Sequence, residues 1–568
     1  MPAANRSLRL ALYALLAAII YLPGLGRPAL WEPDEGRYAE IAREMVVSGD
    51  YVTPRDDLEL YFEKPPLVYW ANAASIKVFG VDEFAVRLPA ALFSIGQVVV
   101  TAALAEVMLG ATAGLFAALA LSLSPLFFGF ARFATLDPAL AFFLTAGLAA
   151  FYIAARDDSF SLPSSRKWMM ISAAMLALGT LAKGPVALML GGAIAIAWLA
   201  SERRLHQIAE MPLASCLVIY AAIVVPWFAI AEARNPGFMR FFIIHEHLER
   251  YVASSEHGWG PWFFIPIVLG GAWPWIFFVP IGWYAMRAND GSASGQARVS
   301  ASFLGIWFVV VFVFFSIPRS KLGSYILPAL PPLAIVAGYG LARMPALDAV
   351  RRERFLAVVA MANVVLAAAL LAFFEVAPAP IKQALGMDAL LIGAALTAGA
   401  IALYALGRTA SSVPYAIGAL ALAMLATAPL AARLREDASS FSTYRNLANA
   451  VQPYLSGSCT LASYRHYIQS LPFYTRQRET RVEYWGELSE VSPSVPGKSP
   501  YLIGSDTRLR QVWSSGACMI LIANERDLQG LQDSLKPAPV ILGCEGKKLA
   551  LYNGALAPPP AAADCLKR

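Results

Sequence analysis

Trp31-Glu32-Pro33-Asp34-Glu35-Gly36-Arg37-Tyr38 follows directly on an apolar run at 8–25, and the chain turns apolar again beyond residue 87. Acids beside a proline, where a bilayer-length run ends, read as a polar platform at a membrane surface. No small-residue cleavage site follows the run, as a secretory signal would require. It is therefore expected to be an uncleaved first helix behind Arg6 and Arg9. The same pattern continues downstream. Stretches near the roughly 20 residues that cross a bilayer lie at 8–25, 87–107, 111–130, 138–155, 168–182, 185–201, 212–232, 261–284, 301–317, 323–341, 355–374, 387–406 and 413–432. They predict a polytopic α-helical membrane protein with about thirteen transmembrane helices.

Composition points the same way: 58% of the 568 residues are hydrophobic and 15% charged, against roughly 25% charge in an average soluble domain. Mean hydropathy is +0.56. The 13 Trp and 22 Tyr suit a protein with two water interfaces to anchor. The net charge of +6 is scattered over many loops, which excludes a basic nucleic-acid module and leaves the bilayer as a partner.

With Arg6 and Arg9 inside, alternation puts the short basic loops at 156–167, 203–204, 287–298, 343–354 and 408 in the cytoplasm, where such loops belong. Segments 26–87, 233–260 and 433–568 then lie outside. In the first, Tyr38, Ile41, Met45 and Val46 share one face opposite Arg37, Glu40 and Arg43, the pattern of a helix lying along a membrane surface. A second amphipathic helix is expected from Pro65-Pro66. In the tail, β-rich runs at 459–464, 519–523, 540–542 and 549–552 alternate with helical stretches at 443–454 and 526–535, the signature of a small soluble α/β domain. The expected division is a membrane domain over 1–432, including the loop 26–87, and an outer domain over 433–568. Cys459, Cys518, Cys544 and Cys565 suit an oxidising compartment, with three pairings open.

Charge near a bilayer is costly and marks function. Asp34 and Glu35 read either as a cap and first-turn acid or as catalytic carboxylates. Asp137-Pro138 reads as a cap with first-turn proline or as a site acid, with Arg132 as a candidate ion-pair partner. Lys64 precedes a helix start, where an ammonium and free N–H groups favour an anion. Lys183, Arg250, Arg319 and Lys321 sit on the expected outer face against the positive-inside tendency, which points to an anionic ligand, with phosphate the natural choice. Tyr325 reads as a phenolic donor or an interfacial-belt tyrosine. His245 and His247, with Glu63, are weak metal candidates. No nucleotide-binding loop is present, since Gly497-Lys498-Ser499 lacks the earlier glycine, and no serine nucleophile elbow is seen.

Trp31-Glu32-Pro33-Asp34-Glu35-Gly36-Arg37-Tyr38-Ala39-Glu40-Ile41 and Tyr61-Phe62-Glu63-Lys64-Pro65-Pro66-Leu67 closely resemble the first outer loop of the ArnT-type aminoarabinose transferases. These belong, with the protein O-mannosyltransferases, to the GT-C glycosyltransferases. Thr135-Leu136-Asp137-Pro138, Glu246-His247-Leu248-Glu249-Arg250 and Ser320-Lys321-Leu322-Gly323-Ser324-Tyr325-Ile326-Leu327-Pro328 match as well, although Gly323-Ser324 departs from the commoner Leu-Pro-Thr form. The resemblance covers the membrane portion and is weaker in the tail.

It implies an inverting transfer of 4-amino-4-deoxy-L-arabinose from undecaprenyl phosphate to lipid A phosphates at the periplasmic face of the bacterial inner membrane. That modification lowers lipid A charge and is associated with polymyxin resistance. The resemblance also implies that Asp34 is the shared loop acid, that Lys64, Arg250 and Tyr325 hold the carrier phosphate, and that Asp137 and Glu63 complete the polar cavity. Tyr38, Tyr61, Arg132 and Arg319 are further cavity candidates. A lipid-linked donor carries its own leaving group, so no cofactor is expected. The competing readings are a related transferase using galacturonate or mannose, and a flippase for lipid-linked sugars. A flippase should carry a polar pathway through its spans, whereas the charges here crowd one face.

Overall fold

The computed structural model describes residues 5–156, 159–249, 258–288, 294–376, 379–439, 443–455, 459–484, 502–554 and Cys565. The chain divides into two compact units. One comprises Met1–Leu25, Leu88–Ile230 and Phe242–Leu434, the other Gly26–Arg87, Ala231–Phe241 and Arg435–Arg568.

The first unit is a helical bundle of a multi-pass membrane protein. Among the described residues, 8 helices are long and apolar enough to cross a bilayer, or up to 10 when each bent pair counts as one span. The expected segments at 8–25, 168–182 and 185–201 are helical too, as Arg6–Tyr21, Pro163–Lys183 and Val186–Ser201. The 16 residues of Arg6–Tyr21 rise only about 24 Å at roughly 1.5 Å each, short of a hydrocarbon core of about 30 Å.

Segments 111–130 and 261–284, each expected as one span, are broken. Ala111–Ser122 meets Pro125–Ala131 at 67°, and Pro261–Gly271 meets Trp275–Arg287 at 95°. Pro125 and Pro274 lie in or beside these breaks and have no N–H to continue a helical ladder. Small residues let the helices approach closely. Leu330–Arg343 packs on Ala111–Ser122 where a Cβ on Gly338 would lie 2.5 Å from the Ala117 nitrogen. Phe303 centres an aromatic core, with ring centroids 5.0 Å from Tyr152 and 5.3 Å from Trp198.

The second unit contains a short antiparallel pair in the loop, β1 (Arg55–Asp56) and β2 (Glu59–Leu60), and is built on a six-stranded sheet. The strands of that sheet are β3 (Thr460–Tyr464), β4 (Glu479–Val482), β5 (Leu502–Ile503), β6 (Met519–Asn524), β7 (Val540–Glu545) and β8 (Lys548–Tyr552), in the order β5-β4-β3-β6-β8-β7. Strands β3 to β6 run parallel, while β8 is antiparallel to both β6 and β7. Alternation along β6 sorts two cores. Ile520 and Ile522 pack with Leu447 and Val451, while Met519 and Leu521 pack with Leu509, Trp513 and Leu531.

The expected α/β tail is therefore present, with β4 and β5 added to it. Of the open cysteine pairings, Cys459 joins Cys518 and Cys544 joins Cys565. The first clasps adjacent strands just before their register partners Thr460 and Met519. Cys216 is free.

The loop 26–87, grouped from sequence with the membrane domain, packs instead with the tail inside this second unit. Its charges find their partners there. Arg481 pairs with Glu59 at 3.0 Å, Arg445 with Glu83 at 2.9 Å, and Arg478 donates to the Asp57 carbonyl at 2.8 Å. The expected surface helix, observed as Asp34–Ser48, differs from expectation for the same reason. Arg37 and Glu40, placed on its wet face, are buried. The second loop helix is Leu67–Phe79.

Candidate active site

Within the loop–tail unit, the candidates gather where the two loop helices begin. Asp34 is the first residue of its helix. Its charge joins burial in holding the Tyr38 phenol well above the usual tyrosine range. The Tyr38 ring lies 5.9 Å from that of Tyr69, and the Arg37 guanidinium lies 5.6 Å from the Tyr61 ring centroid. The buried Tyr61 hydroxyl donates to Glu63 Oε2 at 3.1 Å, and burial with the Glu63 charge keeps this phenol protonated as well. Lys64 Nζ donates to the Glu63 carbonyl oxygen at 3.1 Å. The cluster offers phenol donors, carboxylates and cations around the starts of the two loop helices, a setting suited to a sugar and an anion.

Glu35, placed among the catalytic acids from sequence, is an anchor. Its fully buried carboxylate accepts from Arg87 Nε at 2.8 Å and Nη2 at 2.7 Å, and from the Trp31 N–H at 3.0 Å. Arg87 also donates to the Pro28 and Ala29 carbonyls at 2.6 and 2.9 Å. This fork-to-fork pairing fixes the approach to Asp34.

Within the bundle unit, Asp137 opens the helix Asp137–Ala154 and Lys183 closes Pro163–Lys183. Packing of these helices joins the two as a short ion pair. Lys183 Nζ also stands 4.3 Å from the Tyr325 ring centroid, a cation–π distance. The structure thus brings Asp137, Lys183 and Tyr325 together. Arg132 has another task, donating to the Tyr21 and Pro23 carbonyls at 2.6 and 2.8 Å where the first helix ends.

Lys321 is buried and donates to the Trp259 carbonyl at 3.0 Å and to the Pro318 carbonyl, which makes it a staple between two loop segments. Arg319 is exposed. Arg250 lies outside the described residues, as do the side chains of His245 and His247 on the π-helix Phe241–Glu249. Among the described residues no group of three or more His, Cys, Asp or Glu could hold a metal ion.

Sequence reading missed Arg37, Arg87, Glu32 and the tail residues Gln469 and Ser470. Glu32 and Arg37 stood inside the quoted motif. Arg87 looked like an ordinary charged flank of the next span.

The family of dolichyl-phosphate-mannose-protein mannosyltransferases matches residues 6–242. An undecaprenyl phosphate-alpha-4-amino-4-deoxy-L-arabinose arabinosyl transferase of Erwinia tasmaniensis is 35% identical over 337 residues, 58% of each chain. A namesake from Pseudomonas fluorescens is 34% identical over 59% of this chain and 56% of its own. The match thus spans little more than half the length of these curated relatives. The crystal structure of ArnT from Cupriavidus metallidurans bound to undecaprenyl phosphate superposes with a TM-score of 0.85 at 28% identity, covering 98% of this chain and 100% of that one. Its apo form gives 0.83.

The helical bundle, the acidic first loop and the α/β tail define the class as a polytopic GT-C glycosyltransferase fold. Within that class the chain is similar to the ArnT-type transferases in sequence and in fold.

Proposed function

We propose that this protein transfers 4-amino-4-deoxy-L-arabinose from undecaprenyl phosphate to a phosphate of lipid A, at the periplasmic face of the inner membrane. The observation that carries this reading is the likeness, over 98% of the chain, to ArnT bound to undecaprenyl phosphate. The paired cysteines of the tail support an oxidising, outer compartment for it.

The bond between the sugar's anomeric carbon and the carrier phosphate oxygen breaks, and its electron pair leaves with the phosphate. An oxygen of the acceptor phosphate forms the new bond from the opposite face, which inverts the anomeric centre. Positive charge grows on the sugar and negative charge on the leaving group. Lys64, Arg250 and Tyr325 are the proposed ligands of the carrier phosphate, in the electrostatic role that preorganised donors perform well. Lys183, held by Asp137, is a further cation for the same anion. Asp34 orients the sugar or the acceptor. A phosphate acceptor is already anionic at neutral pH, so no strong general base is required, and neither nucleotide nor metal is required by this scheme.

The test is to incubate purified protein with lipid A and undecaprenyl phosphate carrying aminoarabinose, galacturonate or mannose, and to weigh the products. Aminoarabinose-modified lipid A is expected. Transfer of another sugar alone would reassign the donor, and no transfer from any donor would refute the reading.

A further inference from the structure

The tail holds the segment that leads into Asp34. The Glu32 carboxylate, two residues upstream, accepts the Ser470 N–H at 2.8 Å and the Gln469 N–H at 3.0 Å. The Leu30 N–H donates to the Tyr474 hydroxyl at 2.7 Å, which itself donates to Glu83 at 3.1 Å. Two residues beyond Asp34, the backbones meet without room for a side chain: a Cβ on Gly36 would lie 2.5 Å from the Ser470 nitrogen. Glu35, next to Asp34, is fixed from inside the loop by Arg87. The segment 28–36 is thus gripped on one side by Arg87 and on the other by the turn and short helix at 469–475 of the tail.

We propose that the tail domain is a positioning device for the transfer reaction, with Glu32 as its positioning residue and Gly36 as the point of backbone contact. Together they set where Asp34 stands. This rests on the assignment of Asp34 made above. A carboxylate receiving two adjacent backbone N–H groups is a rigid connection, because each donor is fixed by the chain. A covalent tether alone would leave the helix start free to shift, and a shift of about 1 Å in a reacting group costs up to about 100-fold in rate. The tail thereby acts on turnover without touching substrate.

The experiment uses the full chain in lipid nanodiscs and compares wild type with Glu32→Gln and Gly36→Ala. In Glu32→Gln the new amide retains the length of the carboxylate but turns an NH2 toward one of the two backbone donors. Two readouts are taken together: hydrogen exchange across 28–36, and kcat and KM for the lipid-linked sugar donor. The expected result is faster exchange in 28–36 with protection of the tail strands retained, kcat lowered by about 10- to 100-fold, and donor KM little changed. If Gly36→Ala fails to fold, Glu32→Gln decides. A loosened segment with unchanged kcat overturns the proposal, as does unchanged exchange in the folded variants, or a raised donor KM at unchanged kcat. An inactive wild type would instead refute the function proposed above and remove this inference with it. Active wild type with indifferent variants refutes the positioning role alone.

Discussion

The bundle and the loop–tail unit are held together by different physics. In the bundle, apolar helices cross closely through small residues such as Gly338, and buried charge is confined to a few places such as Asp137 with Lys183. The loop–tail unit buries Glu35, Glu40, Asp56, Asp57, Arg87, Glu479 and Arg481, several of them in pairs between residues hundreds of positions apart. Its parts recognise one another through charge and backbone hydrogen bonds. A unit of this kind is sensitive to single polar substitutions, whereas the bundle is sensitive to volume.

The largest stability effect is expected at the Arg87–Glu35 pair. Arg87→Met leaves a buried carboxylate unpaired and should destabilise the loop–tail unit by about 3–5 kcal/mol. Adding Glu35→Leu to Arg87→Met should restore part of that loss, as read by hydrogen exchange across the unit. Equal losses in the single and double variants would remove the ion pair from the account. Next comes reduction of the tail's disulfides. Cys459–Cys518 closes a loop of sequence separation 59 and should contribute about 4 kcal/mol. Reductant is therefore expected to release protection in the sheet and leave the bundle helices unaffected. Loss in both units together would blur the contrast.

Within the bundle, two lysines proposed from sequence as phosphate ligands are now distinguishable. Lys183→Met should lower transfer by about 100-fold, the scale of one lost electrostatic donor. Lys321→Met, which loses contacts to two carbonyls, should lower stability by about 1–3 kcal/mol and change transfer far less. Equal activity losses would return Lys321 to the phosphate.

The smallest effect expected is on pH. Burial raises Glu479 to about 8 and Glu44 to about 7, above the ordinary glutamate value near 4.5 expected once unfolded. The folded unit then binds more protons, so its stability is greatest below that ordinary value and falls as pH rises through 7 to 8. Urea should unfold the unit more readily at pH 8.5 than at pH 6, and the reverse order would contradict the burial of these carboxyls.

What was legible in the sequence follows the same division. Hydropathy located the helices of the bundle because length and apolarity are local properties. It could not see the breaks at Ser122 to Pro125 and Gly271 to Trp275, since the residues around them remain apolar. Strands β3, β6, β7 and β8 were legible from their β-rich composition. Strands β4 and β5 were not, being only 4 and 2 residues long, with Glu479 and Arg481 giving β4 the look of a polar loop.

In the candidate site, the motif residues Asp34, Tyr38, Tyr61 and Glu63 do gather in one cluster. The sequence offered no way to separate Glu35 from Asp34, because their difference lies in Arg87, 52 residues away. Likewise, Lys183 and Lys321 looked alike until their partners were seen.

The central claim is that cations grip the carrier's phosphate while its sugar is transferred. The most direct test is the mass spectrum of lipid A from cells lacking their own transferase and expressing either wild type or Lys64→Ala, with membrane insertion verified for both. Wild type is predicted to add aminoarabinose and Lys64→Ala to add none. Normal modification by a properly inserted Lys64→Ala protein would contradict the account.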